Sequence, residues 1–150
     1  MRHILCFGNP LHGDDGFGHA VYQQLVTLPL PNDLRLFDAG TPGPAALMLF
    51  QGCDEVIIVD ACNLGNEPGR LSQPLPEAII AEASVSGHGA GVGYLLQALA
   101  ALPEQAPRIR IIAVEIATAK PFQPGLSAAV TRGVDEAVSL LRTYFPVHQQ

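Results

Sequence analysis

A mainly parallel, twisted sheet of about five strands, covered by helices on both faces in a three-layer α/β/α arrangement, is the α/β fold this sequence predicts. Three observations carry that expectation. The strand-like segments read as continuous apolar runs, Val56-Ile57-Ile58-Val59 above all, as a sheet buried on both faces requires. Such runs alternate with helix-like stretches along the chain, which favours parallel pairing through right-handed crossovers. The chain has 150 residues, 48% hydrophobic and only 15% charged, enough apolar material for one domain, residues 1–150, around a real core.

In order, residues 3–7 read as the first strand, closed by the breakers Gly8-Asn9-Pro10. Residues 17–28 read as a helix, 34–37 as the second strand, 44–51 as a helix and 55–59 as the third strand. The segment 69–75 adds a short edge strand, 91–102 a helix and 108–114 a further strand. The last helix, 127–145, carries Val130, Val134, Ala137, Val138 and Leu141 on one stripe, the mark of an amphipathic helix with one buried face.

Composition removes several classes of function. The net charge is −6 and the sole lysine is Lys120, so no basic face exists to neutralise a nucleic-acid backbone. No run approaches the ~18 apolar residues of a membrane span, and the apolar stretch 4–7 is too short for a secretory signal. Cys6, Cys53 and Cys62 are odd in number and lack CxxC spacing, which reads as buried free thiols in a reducing compartment. The expectation is a cytoplasmic protein with no membrane partner.

In an open α/β sheet ligands sit beyond the carboxyl ends of the strands, where strand order reverses. The loops there contain Gly8-Asn9-Pro10-Leu11-His12-Gly13-Asp14-Asp15-Gly16, then Asp38-Ala39-Gly40-Thr41-Pro42-Gly43, then Asp60-Ala61-Cys62. Gly8 and Gly13 have the GxxxxG spacing of a phosphate-binding loop, but Asp14 and Asp15 stand where Lys and Ser/Thr are needed and would repel a triphosphate. A divalent cation fits better, because it wants carboxylate oxygens and imidazole. Asp15 and Asp60 are the candidate carboxylate ligands, brought together if the first and third strands are neighbours, and His88 in the glycine-dense loop Ser86-Gly87-His88-Gly89-Ala90-Gly91 is the candidate third. His12 qualifies only if its loop folds inward.

Plainer roles compete. Asp14 or Asp15 can cap a helix or complement its positive end, Asp38 and Asp60 can hold turns after their strands, and a lone loop histidine is commonly just solvated. No GxSxG elbow surrounds any serine and no cysteine has a local activating group, so covalent hydrolysis is disfavoured.

The combination Gly8-Asn9-Pro10-Leu11-x-Gly13-Asp14-Asp15-Gly16-x-Gly18, Asp38-x-Gly40-Thr41-x-Gly43, a strand ending Asp60-Ala61, a histidine in a glycine-rich loop and a late Gly125-Leu126-Ser127-x-x-Val130 resembles the nickel–iron hydrogenase maturation endopeptidases over nearly the whole chain. The resemblance implies an endopeptidase that trims the C-terminal extension of the hydrogenase large-subunit precursor after nickel insertion. Metal contacts would fall to Asp15, Asp60 and His88, with Asp15 or Asp38 as catalytic base. The nickel would be carried by the precursor rather than held permanently. Ala39, where many relatives have a second glycine, and the density of glycines from Gly87 to Gly93 depart from the family pattern. The alternatives are a non-catalytic module that binds the nickel site, as a chaperone would, and a phosphate- or nucleotide-binding enzyme.

Overall fold

A computed structural model describes residues 1–86, 91–103, 105–117 and 122–145, with backbone alone at 84–86. The elements are β1 (Arg2–Phe7), α1 (Phe17–Leu25), β2 (Leu34–Gly40), β3 (Glu55–Cys62), β4 (Leu71–Ser72), α2 (Pro76–Ser86), α3 (Val92–Ala101), β5 (Arg108–Glu115) and α4 (Ala128–Tyr144). One 3-10 turn, Gly13–Gly16, leads into α1, and a longer 3-10 helix, Pro44–Phe50, links β2 to β3. The sheet order is β2-β1-β3-β5-β4, all parallel except the two-residue edge strand β4.

Alternation along the strands divides the core in two. On one face Ile4 and Cys6 of β1, Ile57 and Val59 of β3, and Ile112 and Val114 of β5 pack with Phe17, Val21 and Leu25 of α1 and Val134 and Leu141 of α4. On the other, Leu5, Phe7, Val56, Ile58, Ile111 and Ala113 pack with Ile79 of α2, Leu95 and Leu99 of α3 and Phe50 of the 3-10 helix. Both faces of β1, β3 and β5 are covered, which is why these strands are apolar at successive positions. The predicted stripe of α4 is its buried face, and Ser127 caps the helix by accepting the Val130 N–H at 3.3 Å.

Several boundaries differ from expectation. The strands β2 and β3 run on to Gly40 and Cys62, so Asp38 and Asp60 lie within strands rather than in the loops after them. Helix α1 ends at Leu25, with residues 26–28 in turns, and 44–50 winds as a 3-10 helix. Helix α2 has no counterpart in the sequence reading: its residues Ala78-Ile79-Ile80-Ala81 are apolar in succession, so they carry no helical stripe. Cys6 is buried as expected, whereas Cys53 and Cys62 are only partly buried; all three are free thiols.

Candidate active site

Because β1 and β3 are adjacent and parallel, with Cys6 beside Val59, the loop after β1 and the end of β3 meet at the carboxyl edge of the sheet, where strand order reverses. The first loop folds back tightly on itself. Gly8 has φ +137°, and a Cβ there would come within 2.0 Å of the Asp15 carbonyl oxygen; one at Gly18 would come within 2.0 Å of the Phe7 carbonyl oxygen. Gly13, at φ +56°, also takes a left-handed conformation, so Gly8 and Gly13 serve the loop's own backbone, which accounts for the phosphate-loop spacing without a phosphate.

The two adjacent aspartates part company. Asp14 is 1% exposed and accepts the backbone N–H groups of Ala117 at 2.9 Å and Ser127 at 2.7 Å, together with the Ser127 hydroxyl at 3.0 Å. It ties the first loop to the exit of β5 and the entrance of α4. Neither aspartate caps α1, whose N-cap is Gly16. Asp15 is half-buried, accepts the Asn9 N–H at 2.9 Å, and faces the crevice.

That crevice is a cavity of about 260 Å³. Asp15, Asp60, Cys62 and Asn63 line it together with Glu82 of α2 and Gly91-Val92-Gly93 at the start of α3. Burial, then the charge of Asp15, hold the Asp60 carboxyl well above the ordinary carboxylate range; Glu82 pushes the same way, and the Ala61 N–H donating to Oδ1 at 2.8 Å opposes them. A cation between the two carboxylates would relieve the repulsion that raises Asp60. His88 lies outside the described residues. Among the described residues no three His, Cys, Asp or Glu side chains converge on a point that would hold a metal ion.

Sequence reasoning missed two acids. Glu82 sits on the unforeseen α2. Glu115, 2% exposed at the end of β5, accepts the N–H groups of Leu64 at 2.9 Å and Gly65 at 2.8 Å and the Cys62 thiol at 3.4 Å, fixing the loop behind the cavity. An acid closing an otherwise apolar strand was the available signal, since a buried carboxylate must find donors. Burial and Glu115 together push the Cys62 thiol up, as burial does for Cys6, so neither is a nucleophile at neutral pH.

Asp38 is not brought to the cavity. It pairs with Cys6 across β1 and β2, so its side chain takes the α1 side of the sheet, opposite Asp60, and it meets His19 with Nδ1 to Oδ2 at 2.9 Å. His12 turns from the cavity wall to Phe122, edge-on at 5.2 Å between ring centroids.

Comparison with known proteins agrees with this architecture. A family model described as hydrogenase maturation protease matches residues 20–143. A Methanocaldococcus jannaschii protein assigned to the hydrogenase maturation proteases is 32% identical over 144 residues, covering 92% of each chain. The hydrogenase expression/formation protein HupM of Azotobacter chroococcum is 30% identical over 142 residues, covering 91% of this chain and 68% of its own. Among solved structures, the hydrogenase maturating endopeptidase HybD from Escherichia coli shares the fold with a TM-score of 0.81 at 23% identity, covering 95% of this chain and 90% of that one. A hydrogenase 2 maturation peptidase from a Thaumarchaeota archaeon is 29% identical with a TM-score of 0.69, covering 95% and 96%. The match across most of its length, on a sheet that places Asp15 and Asp60 in one crevice, shows that the chain belongs to the hydrogenase maturation protease family.

Proposed function

We propose that this peptidase removes the C-terminal extension of a nickel–iron hydrogenase large-subunit precursor once nickel has been inserted, and that Asp15, Asp60 and His88 read the nickel, which arrives as part of the substrate. The observation that carries the reading is that Asp15 and Asp60 line one cavity, near enough for the charge of Asp15 to act on Asp60. Carboxylate and imidazole suit a borderline divalent ion. Gly91 lines the same cavity, and a Cβ there would meet nothing within 4 Å, which leaves room for a peptide backbone to approach.

The chemistry is hydrolysis of an amide. Water adds its hydroxyl to the scissile carbonyl carbon and a proton passes to the leaving nitrogen, so the chain needs a base near the bond and a means of holding the bond in place. Of the two aspartates considered as base, Asp15 is favoured because it lines the cavity; Asp38, bonded to His19 on the α1 side of the sheet, is assigned to orienting the substrate from outside the cavity. No thiol or hydroxyl nucleophile enters the scheme, in keeping with the raised Cys62 thiol.

The test is the intact mass of the cognate precursor after incubation with this protein, with and without nickel in the precursor. Loss of a C-terminal peptide from the loaded sample alone is the expected result. An unchanged mass in a verified, loaded precursor would replace the peptidase with a module that binds the nickel site without cutting.

A further inference from the structure

Phe122 combines exposure with a strained backbone. Its side chain is 80% exposed, and its φ of +58° lies in the left-handed region that non-glycine residues rarely occupy. Water penalises the bare ring and sterics penalise the backbone, and the edge-on contact with His12 covers only one side of the ring. The conformation is nonetheless tied to the active-site loop. Gly13 donates its N–H to the Gln123 carbonyl at 2.9 Å, and the His12 carbonyl accepts the Asp15 N–H at 3.1 Å. Leu11 of the same loop is 54% exposed and precedes the His12 whose ring meets Phe122.

We propose that Phe122, with Leu11, is a substrate-positioning element: it receives an apolar side chain of the large-subunit precursor close to the bond to be cut. Covering the ring repays the exposure, and the Gly13–Gln123 hydrogen bond and the His12 contact already tether the ring to the loop, which spares part of the entropy of docking. The inference rests on the peptidase reading above and adds a specificity contact to it. A second copy of this chain fits less well as the occupant. Each copy carries a net charge of −6, and symmetric pairing at this loop would set the acidic crevices against each other.

The experiment compares wild type with Phe122→Gly, Phe122→Ala and Phe122→Leu, using the nickel-loaded precursor. Processing gives KM and kcat, biolayer interferometry on the same precursor gives Kd, and each free protein is melted. Phe122→Gly is expected to raise KM and Kd about tenfold, the scale of a lost aromatic anchor, with kcat within about twofold. Its Tm should equal wild type or exceed it by about 2–4 °C, because glycine relaxes the strained φ. Phe122→Ala should show the same loss of affinity without the gain in Tm, and Phe122→Leu should restore most of the affinity.

Unchanged KM and Kd in both Gly and Ala variants would overturn the proposal. So would a fall of several degrees in their Tm, which would make the ring a packing residue, or a dimer in sedimentation that the variants dissolve while KM stays put. If wild type binds the precursor without cutting it, the peptidase reading fails and the docking contact is decided on Kd alone. If it neither binds nor cuts a verified precursor, both fall.

Discussion

Asp60 pays for its position in stability. Burial and the neighbouring Asp15 raise its carboxyl well above the ordinary value, so the folded state holds a proton that the unfolded chain has already released. Below the ordinary carboxylate range both states are protonated and nothing is lost. As pH rises from about 4 to the raised folded value, stability falls, and above that it stays reduced. Asp60→Asn keeps an acceptor for the Ala61 N–H and removes the ionisation, so its advantage over wild type should grow across that window and then level off in urea unfolding at successive pH values. A variant less stable than wild type at neutral pH would contradict this account. On the proposed nickel-reading role, its processing of loaded precursor should fall on the order of 100-fold, as for Asp15→Asn and His88→Ala, since loss of a metal partner costs about 10–100-fold. Next door, Asp14 makes the opposite trade. Asp14→Ala strands two backbone N–H groups and a hydroxyl in a buried spot, at a cost of about 3 kcal/mol, measurable by the same unfolding. Sequence alone could not separate these neighbours, since both looked like acids at the start of a helix; only Ala117 and Ser127, more than a hundred residues away, reveal which is buried.

The elements that seat the site depend on close backbone approach. Helix α1 lies so near the end of β1 that a Cβ at Gly18 would meet the Phe7 carbonyl oxygen at 2.0 Å, with backbone that cannot swing aside. Gly18→Ala is therefore expected to cost at least about 3 kcal/mol or to abolish soluble expression. Gly43→Ala, where no atom lies within 4 Å of the new methyl, serves as the control and should stay within about 0.5 kcal/mol. Equal unfolding midpoints for the two would refute the packing argument. Elements that bury a stripe or a whole strand, such as α4 and β3, were legible because their apolar spacing records the geometry. Helix α2 was not, because Ile79 and Ile80 are adjacent and give no period, and with it went Glu82. The ends of β2 and β3 were read short because Asp38 and Asp60 break the apolar run, although their backbones continue the ladder. Asp15 and Asp60 were found because strand order alone determines which loops meet, whereas the side on which Asp38 falls depends on its register against Cys6.

At the scale of the molecule, the sheet is a partition. Asp15 and Asp60 face the α2–α3 side, and Asp38 with His19 faces the α1 side, so the acids drawn from the sequence as one group divide into two places with β1 between them. On the proposed reading, recognition of the nickel and orientation of the substrate become separable. If Asp60 reads the nickel as proposed, Asp60→Asn should erase the preference for nickel-loaded over nickel-free precursor. Asp38→Asn should slow processing while leaving that preference intact, and His19→Ala should match it, since the carboxylate acts through its bond to the imidazole. Progress curves of intact precursor mass, run for each variant on loaded and unloaded substrate, yield the ratio directly. If Asp38→Asn abolishes the preference as Asp60→Asn does, the two faces act as one site and the partition has no functional meaning. If the ratio survives with the rate reduced, the sheet separates the metal checkpoint from the groups that set the pace of cleavage.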